Sequence, residues 1–293
     1  MLPASPPRAP TLSGPARGRI HHSLWKSARS CKLRFQNRGA ALAAAPPHTA
    51  MAGHKSERVA LVTGAGRGIG RATTLALARE GYALCLAARS LDELEETRRL
   101  SGLEPVRSLI VLIDLAGEES PQELFDAAIG HFGKIDVLVN NAGWAPPRTP
   151  LLKTSAATQD RILAVNLRAP IALARLAAAR MVKNGGGAIA NIASTAARIA
   201  PAGEAVYAAA KAGLVAFSRA AFAELRSSGV KLTVIIPGLV DTALIPPNKH
   251  LNRALMLGTD DVAEAVMAVL RTPTRACPVE IVLEPQRNPE RAR

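Results

Sequence analysis

The sequence predicts an α/β fold in which a seven-stranded parallel sheet carries helices on both faces. From Glu57 onward, short runs of aliphatic and β-branched residues alternate with longer amphipathic stretches, the pattern of strands joined by crossover helices. Most of the short runs are continuously apolar, as strands covered on both faces require. Of 293 residues, 48% are hydrophobic but only 3% aromatic, so the chain can bury a large core made mainly of Ala, Leu, Val and Ile.

Seven strands follow in order: "RVALVTG" from Arg58, "ALCLAAR" from Ala83, "RSLIVLID" from Arg107, "DVLVNNAG" from Asp136, "GAIANIAS" from Gly187, "KLTVIIPG" from Lys231 and "VEIVLEP" from Val279. Helix-like segments separate them, and neither a solenoid-length repeat nor an interior linker divides residues 51–293. A single doubly wound domain is therefore expected. Cys31, Cys85 and Cys277 are odd in number and far apart, so neither a disulfide framework nor a metal site is expected. Cys85, inside an apolar run, reads as a small core residue.

Residues 1–50 differ in kind. They hold eight of the 37 Lys and Arg and none of the 23 Asp and Glu, so of the formal +14 only +6 remains for residues 51–293. With Pro6-Pro7, Pro46-Pro47 and no hydrophobic period, this segment is expected to be a disordered basic tail. It has the composition of an organellar transit peptide, and equally that of translated GC-rich upstream sequence. Met51 stands just before the first strand, so a cytoplasmic protein beginning there is the expectation, with organellar import the alternative. The charge lies mainly in the tail, which argues against nucleic acid as the domain's partner. No apolar run reaches the roughly 18 residues of a membrane span, so no membrane partner is expected.

In an open parallel sheet, ligands bind beyond the carboxyl ends of the strands. After the first strand comes "TGAGRGIG", with Gly64, Gly66, Gly68 and Gly70 opening a helix and Ile69 where the common dinucleotide fingerprint has its third glycine. Glycines let backbone N–H groups approach a pyrophosphate, and a helix N-terminus favours its charge. The second strand ends in Arg89-Ser90, where a site for NAD usually offers a carboxylate and an Arg would suit a 2′-phosphate. Arg67 in the glycine turn is a second cation for that phosphate, so NADP(H) is expected in preference to NAD(H). Asp114-Leu115 ends the third strand, where the carboxylate could meet the adenine amino group or cap a helix. Asn140, Asn141, Ala142 and Gly143 end the fourth; adjacent Asn residues are poor strand formers and are expected to tie neighbouring strands together and hold the cofactor ribose.

Later in the chain, "VYAAAKAGLVAF" places Tyr207 and Lys211 four residues apart, one above the other on a helix face. The set formed by Thr63-Gly64, Gly68-Ile69-Gly70, "NNAG", Ser194, Tyr207-x-x-x-Lys211 and Pro237-Gly238 followed by Thr242 resembles the short-chain dehydrogenase/reductase family, over about Glu57 to Pro285. The resemblance implies a Rossmann-type fold and a catalytic tetrad of Asn166, Ser194, Tyr207 and Lys211. Tyr207 would be the general acid toward the substrate oxygen and Ser194 would orient the carbonyl. Asn166 would hold a proton-relay water, and Lys211 would lower the pKa of the phenol. Thr242 would touch the cofactor carboxamide, under a lid of residues 238–258 that includes Pro246-Pro247.

The core is similar to 3-oxoacyl-carrier-protein reductases, whereas "VEIVLEPQRNPERAR" departs from the glycine-rich ending of those enzymes. What this implies is an NADPH-dependent carbonyl reductase acting on a small molecule, with an NAD(P)⁺-dependent alcohol dehydrogenase or a non-catalytic NADP(H) sensor as alternatives. Lys183 and Arg226 could dock an acidic carrier, and solvated helix faces also explain them. Trp144 could line the substrate pocket or simply pack. The Ala-rich helices from Ala164 to Met181 and Ala205 to Leu225, together with the resemblance, imply a homodimer or homotetramer.

Overall fold

A computed structural model describes residues 57–245 and 248–290. The basic segment 1–50 with Cys31, the start at Met51 and the Pro246-Pro247 pair lie outside the described residues. All seven expected strands form: β1 (Val59–Thr63), β2 (Ala83–Ala88), β3 (Ser108–Leu112), β4 (Val137–Asn140), β5 (Gly187–Ile192), β6 (Val230–Pro237) and β7 (Glu280–Leu283). They pair in parallel in the order β3-β2-β1-β4-β5-β6-β7. The order reverses between β1 and β4, so the crevice beyond their carboxyl ends is the switch point where such sheets take ligands.

Alternation along the strands divides the core into two layers. Leu61, Cys85, Leu138 and Ile189 face one side, against α3 (Ser120–Phe132), α5 (Ala169–Lys183) and α7 (Ala205–Leu225). Ala60, Val62, Leu84 and Leu86 face the other, against α1 (Gly68–Arg79), α2 (Leu91–Ser101) and α8 (Thr259–Arg271). Cys85 is fully buried, as read from the sequence.

Two short helices complete the set, α4 (Ala156–Leu163) and α6 (Ala196–Ile199). Between α4 and α5 the chain makes a π-turn, Ala164–Arg168. The segment Ala156–Lys183 is interrupted by Arg161, Asn166, Arg168, Arg175 and Arg180, yet an 18-residue window within it reaches a mean hydropathy of 1.5, enough by length and composition to cross a membrane. More than half of that window is buried within the fold, because α5 lies against the sheet, and core packing accounts for its apolarity.

Buried amides lock the central strands. Asn140 and Asn191 stand opposite each other in the β4–β5 register, and Asn140 Nδ2 donates to Asn191 Oδ1 at 2.9 Å and to the Pro170 carbonyl at 3.1 Å. Asn191 Nδ2 donates to Ser218 Oγ of α7 at 2.9 Å, and Ser218 donates to the Leu214 carbonyl at 2.7 Å. Asn191→Ala should leave the Asn140 amide and the Ser218 hydroxyl short of partners in a fully buried place. The expected loss is about 3 kcal/mol, read as a lower denaturant midpoint; an unchanged midpoint would show that the network is dispensable.

Candidate active site

The glycine turn between β1 and α1 is shaped for close backbone approach. Gly64 and Gly68 lie in the left-handed region, at φ 66° and 54°. A Cβ at Gly70 would come within 2.1 Å of the Gly64 carbonyl oxygen, so no side chain fits there. Arg67 is the N-cap of α1, in an extended conformation, and no side chain caps the helix or places an acid in its first turn. The free amides and the dipole at that end suit a pyrophosphate. Ile69 packs into the core layer below.

Around this turn the expected contacts divide. Arg67 Nη1 pairs with Glu93 Oε1 of α2 at 3.3 Å, a partner that sequence reading did not supply. Arg89 is exposed and forms no ion pair among the described residues. Ser90 is the N-cap of α2, its hydroxyl accepting from the Glu93 amide at 3.4 Å, so its oxygen already serves the helix. Asp114 does not cap a helix, because α3 begins only at Ser120. Its carboxylate accepts from the Ala116 amide at 3.0 Å and from Arg161 Nη2 at 2.7 Å. Desolvation pushes the Asp114 carboxyl up, but the Ala116 amide and Arg161 outweigh it and hold it below the usual range. Leu115 is a core residue, packed in the layer with Leu124 and Phe125.

At the end of β4, Asn141 Nδ2 donates to the carbonyls of Thr63 (2.9 Å) and Gly64 (3.3 Å), while the amides of Asn141 and Ala142 donate to Thr63 Oγ1 at 3.0 and 2.9 Å. The two asparagines therefore tie β4 to β5 and to β1. Gly143 opens the following loop; a Cβ there would meet Asn166 Oδ1 at 3.2 Å and Lys211 Nζ at 3.8 Å. Asn166 sits in the buried π-turn, where Nδ2 donates to the carbonyls of Trp144 (2.6 Å) and Ile162 (2.9 Å), and Oδ1 accepts from the Trp144 amide at 3.3 Å. The side chain thus holds the Trp144 loop in place. Trp144 itself lies under the Arg161 guanidinium, 5.4 Å from the ring centroid.

Ser194, just beyond β5, and Tyr207 and Lys211, on the first turns of α7, come together at the carboxyl end of β5. Lys211 is buried and Nζ donates to the Ile192 carbonyl at 2.9 Å, 5.8 Å from the centre of the Tyr207 ring. Desolvation pulls the ammonium down from 10.5 to about 8. The Tyr207 phenol moves the opposite way from the sequence expectation: burial pushes it up to about 12, hydrogen bonding to Ser194 restrains the rise, and the Glu204 carboxylate adds to it. Desolvation outweighs any help from a lysine that is itself desolvated.

Tyr207 lines an open cleft together with Ala145, Pro146, Leu151, Ile162 and Val206, with Glu204 among the few polar groups. The two wall loops are joined by Thr149 N donating to the Gly203 carbonyl at 2.9 Å and by an ion pair between Arg148 and Glu204 at 2.7 Å. On the other side, Pro237 O accepts from the Thr195 amide at 2.9 Å and Gly238 N donates to the Leu283 carbonyl at 2.8 Å, fixing the end of β6. Thr242 lies over the glycine turn, its methyl 3.5 Å from where a Gly68 Cβ would be. Arg253 staples this segment through Asp241 (2.6 Å) and the carbonyls of Thr242 (3.2 Å) and Ile245 (2.7 Å).

Residues 58–251 match the family model described as short chain dehydrogenase. The chain belongs to the short-chain dehydrogenase/reductase family. It is an NAD(P)-dependent oxidoreductase of that family. This short-chain dehydrogenase is 36% identical over 192 residues to the cis-4-hydroxycyclohexanecarboxylate dehydrogenase of Sinomonas cyclohexanicum, covering 65% of this chain and 76% of that one. It is 31% identical over 230 residues to an uncharacterized oxidoreductase of Staphylococcus aureus (strain N315), covering 78% and 98%. Among solved structures, a metagenomic short-chain oxidoreductase in complex with NADP superposes with a TM-score of 0.68 at 30% identity, over 79% of this chain and 98% of that one.

Sequence reading missed the side chains that brace the glycine turn. Arg71 Nη2 donates to the Gly66 carbonyl at 2.5 Å and Arg71 Nε to Thr97 Oγ1 at 3.0 Å, and that hydroxyl lies within 3.2 Å of the carbonyls of Ala65, Gly66 and Glu93. The available signal was an arginine directly after Gly70 and a threonine four residues after Glu93, on the face of α2 that also buries Leu94.

The depressed pKa of Lys211 has a consequence for stability. Between about pH 8 and 10.5 an unfolded chain keeps a proton that the folded one has lost, so stability rises with pH through that window. Lys211→Met lacks this contribution. Denaturant unfolding of the two proteins should show the parent gaining on the variant by an amount on the order of 3 kcal/mol from pH 7 to 10; a constant difference would mean that Lys211 titrates normally.

Proposed function

We propose that the protein is an NADPH-dependent reductase that transfers hydride to the carbonyl carbon of a small, mainly apolar ketone or aldehyde, with Tyr207 as the general acid. The observation that carries this reading is Tyr207 in the lining of a mainly apolar cleft, with Ser194 near its hydroxyl and Lys211 buried beside its ring. The raised pKa keeps the phenol protonated near neutrality but makes it a weaker acid, so passing its proton to the substrate oxygen depends on the negative charge that develops there and on Lys211 beside the phenolate left behind.

The residues present fit a nicotinamide dinucleotide, since the glycine turn leaves room only for backbone and exposes an uncapped helix end. When bound, the reduced cofactor supplies the hydride. Ser194 Oγ holds the carbonyl oxygen within reach of the Tyr207 hydroxyl, and the proton leaves Tyr207 Oη for that oxygen as charge develops on it. Lys211 stabilises the phenolate left behind, and the aliphatic wall of the cleft limits competing water. Asn166 fixes the loop through Trp144. Arg89 and Arg67 are the groups that would favour a 2′-phosphate.

A second reading, oxidation of a secondary alcohol, is favoured by the name of the Sinomonas relative, a dehydrogenase of a hydroxylated cyclohexane. The same residues serve it in reverse. A non-catalytic sensor has less support, because all four members of the implied tetrad are present.

The protein is further proposed to act as a homodimer or homotetramer in the cytoplasm. One face of α7 exposes Ala205, Ala209, Ala212, Ala216, Ala220 and Ala223, a flat stripe suited to close helix packing. Light scattering at micromolar concentration should give two or four chains, and the mass of a single chain would refute the assembly.

Tyr207→Phe keeps the ring and removes the proton. Against a panel of cyclic ketones, quinones, dicarbonyls and 3-oxoacyl thioesters, it should bind NADPH as the parent does and reduce the preferred substrate at least ~10²-fold more slowly. Activity within a few-fold of the parent would reject Tyr207 as the acid.

A further inference from the structure

We propose that Glu93 is a specificity-determining residue that opposes a 2′-phosphate at the cofactor site, so that Arg67 can serve such a phosphate only by giving up its carboxylate partner. The inference rests on the reading of the glycine turn as the cofactor's seat and goes beyond it, because it predicts a narrower choice between NADPH and NADH than two arginines alone would give.

Position is the first argument. A Cβ on Gly66 would lie 2.9 Å from Glu93 Cβ, 3.1 Å from Glu93 Oε2 and 3.6 Å from Ala88 Cβ. The carboxylate therefore sits on the seam where the glycine turn meets the end of β2. Arg67 lies on the turn side of that seam, and Arg89 directly follows Ala88 on the strand side. A phosphate placed to meet both arginines would also meet Glu93.

The second argument is restraint. The Glu93 carbonyl lies 2.8 Å from Thr97 Oγ1 and 3.4 Å from Arg71 Nη2, and the Glu93 amide donates to Ser90. Arg71 and Thr97 fasten the same turn of α2 to the carbonyls of Ala65 and Gly66. Backbone movement cannot carry the acid away; only its side chain can turn.

Charge completes the case. A 2′-phosphate bears nearly two negative charges near neutrality. It would find Arg89 in no ion pair among the described residues though within Coulombic reach of Asp114, Arg67 already paired at 3.3 Å and the Glu93 carboxylate close by. A ribose 2′-hydroxyl would instead find Glu93 as a hydrogen-bond acceptor. The Arg67 side chain is 61% exposed and that of Glu93 35%, so solvent screens the pair and the expected effects are several-fold rather than many orders of magnitude.

The test uses the full chain and ligands that need no turnover. Calorimetry at low salt would compare adenosine 2′,5′-bisphosphate with adenosine 5′-monophosphate, and cofactor fluorescence would compare NADPH with NADH. Glu93→Gln should lower the Kd of the bisphosphate and of NADPH at least fivefold and leave those of the monophosphate and NADH unchanged or raised. Glu93→Ala should shift the same ratios the same way, which guards against a single variant that folds poorly. On an Arg67→Ala background the gain from Glu93→Gln should fall below twofold. Unchanged or weaker binding of the bisphosphate in both Glu93 variants, or a full gain without Arg67, would overturn the proposal. A parent protein that binds none of the four ligands would instead overturn the reading of the glycine turn.

Discussion

The site depends on side-chain hydrogen bonds that join the central strands at their carboxyl ends. Thr63 Oγ1 receives the amides of Asn141 and Ala142, and Asn141 Nδ2 reaches back to the carbonyls of Thr63 and Gly64. Asn140 and Asn191 continue the chain to Ser218 on α7. One polar line therefore runs from the glycine turn to the helix that bears Tyr207 and Lys211. Inside a parallel sheet, backbone ladders set the spacing of strands but leave free the loops beyond them. The amides extend that order by one or two residues, to where the chemistry is. Being buried, they carry a large penalty when unmatched, and so admit few alternative arrangements.

Much of this was legible in the primary structure because the signals were local. Short runs of aliphatic and β-branched residues, most of them continuously apolar, marked all seven strands, and the strand ends pointed to the crevice. The spacing of Tyr207 and Lys211 placed them on one helix face. What was not legible depended on partners distant in sequence. The pairing of Asp114 with Arg161 spans 47 positions and that of Arg67 with Glu93 spans 26. Asn166 was identified through the resemblance, and nothing local showed that a π-turn would aim its side-chain amide at the Trp144 backbone.

The electrostatics show the same limit from another side. Opposite or like charges at helical spacing can be read from a sequence, but desolvation cannot, because it depends on everything that surrounds the group. A lysine four residues from a tyrosine suggests a lowered phenol pKa. Once both groups are buried, each is pushed toward its neutral form instead. The fold therefore holds a neutral phenol beside an amine that loses its proton more easily than a free lysine does. A positive charge arriving with an oxidised nicotinamide would act on both.

The walls of the cleft have a different origin from the catalytic side chains beside it. Tyr207, Ser194 and Lys211 rest on the sheet and α7, whereas the loops around Arg148 and Gly203 meet each other through one backbone hydrogen bond and one ion pair. The walls thus meet the helix of the proton donor only at its first turn, through Glu204 and Val206. A lineage carrying this scaffold could exchange one wall for another, altering which carbonyl enters, while the proton donor stays where it is. Such modularity makes the cleft a natural place for functional divergence among relatives that share the same sheet.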